Sequence, residues 1–397
     1  MSKALCCALQ AQNIAGYSPG SNVVQHNQVD LDQKAIEDEV AAGKFADAKA
    51  IYMSGGNNTA NGGKNSMSKG SARTLKGFST NAKARMMDLP YHLGPYRTYL
   101  KFFEYYGDGD YADKWVMAAL DGTTYTPTNA GTTHAPGGAF SGMEAVARAE
   151  AVQKGTAYQN VWMYAIREFE DAIDDCKSCT SNCNDYSDST DKTGAYNAVH
   201  AWDEGVAFYT GSLAGTTASH SSKGKMVFAL AEKRCENYGT CTGPRGLSHV
   251  NTELFKLFAK GRNHLHAKAD NSACDNVRPI LDDIIKLMTV PLVQGTLRYA
   301  YKTGKNTAGV ANKAGDQDAK NHAEGATFAQ ALLPLVHHCD AAAAKVVSDN
   351  MKFDGQTFAT GGGITGTTAD TAAVKAALES TYNCLGITCA QVGALSP

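Results

Sequence analysis

Apolar residues in this chain recur at helical spacing far more often than they alternate. Between Ala157 and Asp175, Trp162, Ile166, Phe169 and Ile173 follow at intervals of four, three and four, which sets them on one helix face. From Ala195 to Ala214 the stripe is Val199, Trp202, Val206, Tyr209 and Leu213. The same period predicts helices over Lys223–Glu236, Gly246–Ala267, Asn276–Tyr301, Asp316–Asn350 and Ala369–Thr381, with kinks at Pro291 and Pro334. Upstream, Asp30–Met53 reads as a helical hairpin broken at Gly43, and Leu93–Leu120 as an aromatic-rich helical stretch. The Gly-, Thr- and Pro-rich segment Asp121–Gly142 reads as a boundary loop. Strand signals are sparse, so under about a tenth of the residues should be extended.

A short repeat crosses this map. Glu204-Gly-x-x-Phe208 returns 120 residues later as Glu324-Gly-x-x-Phe328, each copy following a longer helical stretch. The expected architecture is therefore all-α, with two related helical bundles, a smaller helical N-terminal part and long Gly-rich loops. Its boundaries are 1–29 as a leader or flexible N-terminus, 30–142 as the N-terminal helical part, 143–270 as the first bundle and 271–397 as the second. Met1–Gln12 carries Cys6 and Cys7 but no full apolar core of a signal peptide.

Charge then removes partner classes. Lys and Arg total 37 against 39 Asp and Glu, a net charge of −2, and no Lys/Arg-rich stretch marks a nucleic-acid groove. No run of about 18 apolar residues offers a membrane span. Hydrophobic residues at 43% leave ample material for a core and exclude a disordered chain.

The chain has 11 cysteines, and beyond Cys6 and Cys7 all lie after residue 175. Cys176, Cys179 and Cys183 cluster in an Asp/Ser/Asn-rich loop. The pairs Cys235/Cys241 and Cys384/Cys389 each bracket a short loop. A CxxC occurs once, so a structural zinc site is less well supported than local disulfides, which need an oxidising compartment. On this reading Cys235 pairs with Cys241 and Cys384 with Cys389. Cys274 and Cys339 then join each other or the 176–183 cluster. The glycosylation acceptor Asn57-Asn58-Thr59 agrees with a secretory route.

Catalytic motifs are missing. Gly62-Gly63-Lys64-Asn65-Ser66 lacks the residue order and preceding strand of a phosphate loop, and neither His-Glu-x-x-His nor Gly-x-Ser-x-Gly occurs. The chemistry that stands out is acidic. The Ala195–Ala214 helix is apolar nearly all round, with His200, Asp203 and Glu204 as its non-tyrosine ionisable groups, and His200 and Glu204 share a face at i, i+4. Glu324 beside His322 repeats the situation, while Glu170 and Asp174 edge the preceding apolar stripe. A buried carboxylate requires a cation, a metal or several donors. Carboxylates and histidines from facing helices are how bundles hold iron or manganese. The other possibility is that Glu204 and Glu324 pair with an arginine such as Arg167, Arg262 or Arg298, or accept bonds from tyrosines.

The segment His200–Ser212 (HAWDEGVAFYTGS) resembles a signature of the algal Fe-assimilation proteins, also described as low-iron-inducible or high-CO2-response periplasmic proteins. Phe45–Tyr52 (FADAKAIY), Arg73–Leu75, Asn251–Lys260 (NTELFKLFAK) and Glu324–Phe328 support it, over roughly residues 30–350. The resemblance implies a non-enzymatic extracellular or periplasmic protein that binds iron, as Fe(III) or Fe(II), and works with a cell-surface iron uptake system. The family's Glu-x-x-Glu iron motif is absent here, the nearest spacing being Asp171-x-x-Asp174. A cell-surface structural or adhesive helical protein without a metal site is the alternative.

Overall fold

In the computed structural model, which describes residues 13–55, 74–88, 96–179, 195–215, 223–266, 272–305, 308–316, 318–353 and 369–396, the helices fall where the apolar period put them. The first hairpin is Val29–Ala41 and Phe45–Ser54, turned at Gly43, whose φ of +76° suits a residue without Cβ. The aromatic stretch is two helices, Arg97–Tyr106 and Tyr111–Asp121. The Trp162–Ser178 helix begins further upstream than its stripe suggests. Ala145–Lys154 runs into it through one π-helical segment, Gly155–Val161. There the Trp115 indole lies where a Cβ on Gly155 would stand, only 2.7 Å from its Cδ1.

Next come Ala195–Thr210, Val227–Tyr238, His249–His266, Val277–Lys302, Ala319–Cys339, Ala341–Asn350 and Thr371–Leu385. Pro291 and Pro334 lie inside helices that run on through them. The stretch read as one helix over 316–350 is interrupted because Asp340 is extended and its carboxylate accepts from Ala342 N and Ala343 N, capping a new helix. Strands among the described residues are two short pairs. Thr124–Tyr125 meets Gly138–Ala139 antiparallel inside the expected boundary loop, and Gly304–Lys305 meets Ala369–Asp370 in parallel. The fold is all-α.

Two helix pairs carry the repeat. Trp162–Ser178 packs along Ala195–Thr210, and Val277–Lys302 along Ala319–Cys339. In each pair the glycine of Glu-Gly-x-x-Phe lets an aromatic of the partner helix approach. A Cβ on Gly205 would stand 2.6 Å from Phe169 Cε1, and one on Gly325 2.9 Å from Tyr299 Cβ. Ala319–Cys339 also rests on Ala145–Lys154, and one hydrophobic cluster extends from Ile14 to Val392. Trp115, Trp162 and Trp202 are fully buried in it.

The N-terminal segment differs from its reading as a leader or flexible stretch. Residues 13–29 pack on the core through Ile14, Tyr17 and Val23, and the one-turn helix Val24–Asn27 ends this segment. The cysteines also need one correction. Cys235–Cys241 forms as expected, and Cys274 joins the cluster through Cys176. Cys384, however, bonds Cys339 and leaves Cys389 free and exposed. The cause is helix packing. Cys339 and Cys384 close the ends of two neighbouring helices with their Cα atoms 5.7 Å apart, while Gly386 at φ +70° turns the chain off before Cys389. Cys6, Cys7, Cys183, the Asn57–Thr59 acceptor and most of the Gly-rich 55–70 loop lie outside the described residues. Among the described residues no helix is long and apolar enough to cross a membrane.

Candidate metal centre

The N-terminal segment is clamped along the Ala195–Thr210 helix, and this brings a third side chain of a metal-ligating type, that of His26, beside His200 and Glu204. Tyr17 donates to Asp203 Oδ1 at 2.6 Å, and the Ser21 amide and hydroxyl both donate to Asp203 Oδ2 at 2.8 Å. Further on, Asn27 Nδ2 donates to the Ala207 carbonyl at 3.2 Å, and Asp30 accepts from Ser212 Oγ and Leu213 N at 2.7 Å. Gly211, at φ +78°, makes the last contact possible, since a Cβ there would stand 2.6 Å from Asp30 Oδ2. Between these anchors stands His26, buried, edge-on to the His200 and Phe208 rings.

His26 Nε2 and His200 Nε2 both lie 3.0 Å from the same oxygen, Glu204 Oε1. Among the described residues, these three are the one group of His, Cys, Asp or Glu whose ligand atoms converge, all within 4.8 Å of one another. The polar network orients the His200 ring. Ser21 gives its only hydroxyl proton to Asp203, so at the 3.0 Å contact with His200 Nδ1 it accepts. His200 Nδ1 then donates to Ser21, and its Nε2 faces Glu204 Oε1. Two imidazoles and one carboxylate form the donor set of metal sites with open positions, which suits iron.

The cluster opens on a cavity of about 490 Å³, lined on its far side by Glu168, Asp171 and Asp175 together with Arg85 and Arg167. Arg167 Nη1 pairs with Glu168 at 2.6 Å and with Asp171 at 3.1 Å. Asp175 accepts from Asn197 Nδ2 at 2.6 Å. Burial pushes the Asp175 carboxyl up to about 8, aided by the negative charges of Asp171, Asp174 and Glu204 and opposed by Arg167. Asp203 is also raised by burial, and its Tyr17 and Ser21 donors work against the rise.

The remaining candidates lie elsewhere. Asp203 is buried behind His200 and holds the N-terminal segment. Glu170 pairs with Arg278 at 2.5 Å, and Asp174 is buried close enough to raise the pKa values of both Glu170 and Tyr96. Glu324 receives Lys154 Nζ at 3.0 Å, and Glu150 binds the same ammonium. In this trio burial drives Glu150 up to about 7, whereas Lys154 and Lys233 hold Glu324 low against the effect of its own burial. His322 is buried near Asp318, and burial lowers its pKa to about 4, so it is neutral. Sequence reasoning missed His26, Ser21, Tyr17 and Asp175. The first three stand in the segment set aside as a leader. Their signal was an apolar frame of Ile14, Tyr17 and Val23 ahead of a helix, which a flexible tail does not need.

An all-α protein with three disulfides among its described residues and a two-histidine, one-carboxylate cluster is a candidate metal binder from outside the cytoplasm. Residues 3–397 match the Fea1 family, described as low iron-inducible periplasmic protein. The chain belongs to that family, and its location is periplasmic or extracellular. None of the curated proteins or solved structures matches it.

Proposed function

We propose that this protein captures iron outside the plasma membrane at His26, His200 and Glu204, and assists its assimilation without catalysing a reaction. The observation that carries the reading is the convergence of two imidazole Nε2 atoms on Glu204 Oε1 at 3.0 Å. The family's low-iron-inducible description names iron among the metals that such donors accept. Two nitrogen donors favour Fe(II) over the Fe(III) that an all-oxygen carboxylate site would select. The cavity leaves coordination positions open, Asp171 supplies negative charge in its lining, and Asp175 supplies a carboxyl that a bound cation would favour in its charged form. Asp203 and Ser21 fix the His200 ring, as outer hydrogen-bond partners of metal-bound histidines do.

Equilibrium dialysis under anaerobic conditions against ferrous iron tests this. Wild type should retain about one iron per chain, and Glu204→Gln, His200→Ala and His26→Ala should each lose it while keeping their helical spectrum. Retention of iron by all three variants, or none by wild type, overturns the assignment.

A further inference from the structure

The second Glu-Gly-x-x-Phe copy borders another cavity, of about 390 Å³, lined by four acidic and four basic side chains, whereas acids outnumber arginines around the first. Arg234, on the Val227–Tyr238 helix, lines this cavity and is only 2% exposed. Its Nε and Nη1 have no hydrogen-bond partner among the described residues. Its Cζ lies 6.0 Å from the Tyr299 ring centroid, a contact with the ring face that satisfies no N–H. Of the four acids that line the cavity, Glu236 is exposed to solvent and the other three are engaged. Glu324 faces Lys154 at 3.0 Å, Glu37 faces Lys225 at 2.6 Å, and Glu232 accepts from Ser248 N at 3.1 Å and from Asn251. Lys233 also lines the cavity and makes no ion pair among the described residues. The charge of Arg298 acts on Arg234 as well, and burial lowers the Arg234 and Lys233 pKa values.

A desolvated guanidinium with unpartnered N–H groups at the edge of a cavity is costly until an anion meets it. We propose that this cavity binds a small oxyanion of the carboxylate or phosphate class, received by Arg234 with Lys233 as the second cation. Planar guanidinium donors match such oxygens in both direction and charge. The stacked rings of Tyr158, Phe328 and Tyr299 form an apolar wall of the cavity. The inference does not depend on the metal reading.

Calorimetric titration with sodium phosphate and sodium citrate, against sodium chloride at matched ionic strength, tests it and separates the two anion sources. At least one probe should bind wild type saturably. Arg234→Gln should weaken that binding at least tenfold, and Lys233→Gln several-fold. Glu204→Gln should bind the anion as wild type does, even if it has lost iron. Neither probe binding wild type, or equal affinity in Arg234→Gln, overturns the proposal. Should Arg234→Gln not fold, unchanged affinity in the exposed-site variant Lys233→Gln overturns it equally.

Discussion

Glu204 and Glu324 stand at the same position of two Glu-Gly-x-x-Phe segments and have opposite surroundings. Glu204 meets two imidazoles at 3.0 Å, while Glu324 meets the ammonium of Lys154 at 3.0 Å. A buried acid beside two imidazole nitrogens offers a metal ion three converging donors, whereas one beside a lysine already has its own cation. Glu204→Gln should therefore abolish iron binding with a small effect on unfolding. Glu324→Gln should keep iron and cost about 1–3 kcal/mol, since Lys154 then retains Glu150 as its one anionic partner at bonding distance among the described residues. Denaturant unfolding and metal analysis on both variants check the contrast.

Asp203→Asn leaves all three ligands in place but weakens what holds them. It loses a charged acceptor for Tyr17 and Ser21, and with it the control of His200 Nδ1. By analogy with other outer hydrogen-bond partners, iron affinity should fall about 10–100-fold. An equal affinity in Asp203→Asn, measured by competition with a chelator, would show that the relay is irrelevant to binding.

Metal uptake should release a proton from the cavity wall. With its carboxyl raised to about 8, Asp175 is mostly protonated at neutral pH, and a cation close by favours its charged form. Iron affinity should then rise with pH up to about 8, by at most about tenfold per pH unit from this group, and level off above. The stability of the iron-free protein runs the other way. The folded chain keeps a proton that the unfolded chain has shed between the ordinary 3.8 and about 8, so this group makes stability decline as pH rises through that window. Titrations in buffers of different ionisation enthalpy count the released proton, and Asp175→Asn should remove it.

Cysteine labelling distinguishes the observed pairing from the one the spacing suggested. Alkylation without reduction should mark Cys389 and spare Cys235, Cys241, Cys339 and Cys384. Double Ser variants should rank by the loop they open. Cys176–Cys274 spans 98 residues and should cost most, about 4 kcal/mol, and Cys235–Cys241, spanning 6, should cost least.

What could be read from the sequence follows the range of the interactions. Helices were legible because Trp162, Ile166, Phe169 and Ile173 write their periodicity within one turn of each other. His200 and Glu204 were legible for the same reason, being neighbours on one face of an otherwise apolar helix. His26, Ser21 and Tyr17 were not, because Tyr17 and Ser21 reach Asp203 across 186 and 182 residues of chain. Nor did local pattern separate Glu204 from Glu324. The difference rests on Lys154, supplied by another helix. The pairing of Cys339 with Cys384 is likewise a product of helix packing and not of spacing.

The most direct measurement is anomalous diffraction at the iron edge from crystals loaded with ferrous iron. The account predicts one dominant peak within bonding distance of His26 Nε2, His200 Nε2 and a Glu204 oxygen, absent in crystals of Glu204→Gln. A dominant peak elsewhere, beside Glu170 and Asp174 or at Glu324, would contradict it.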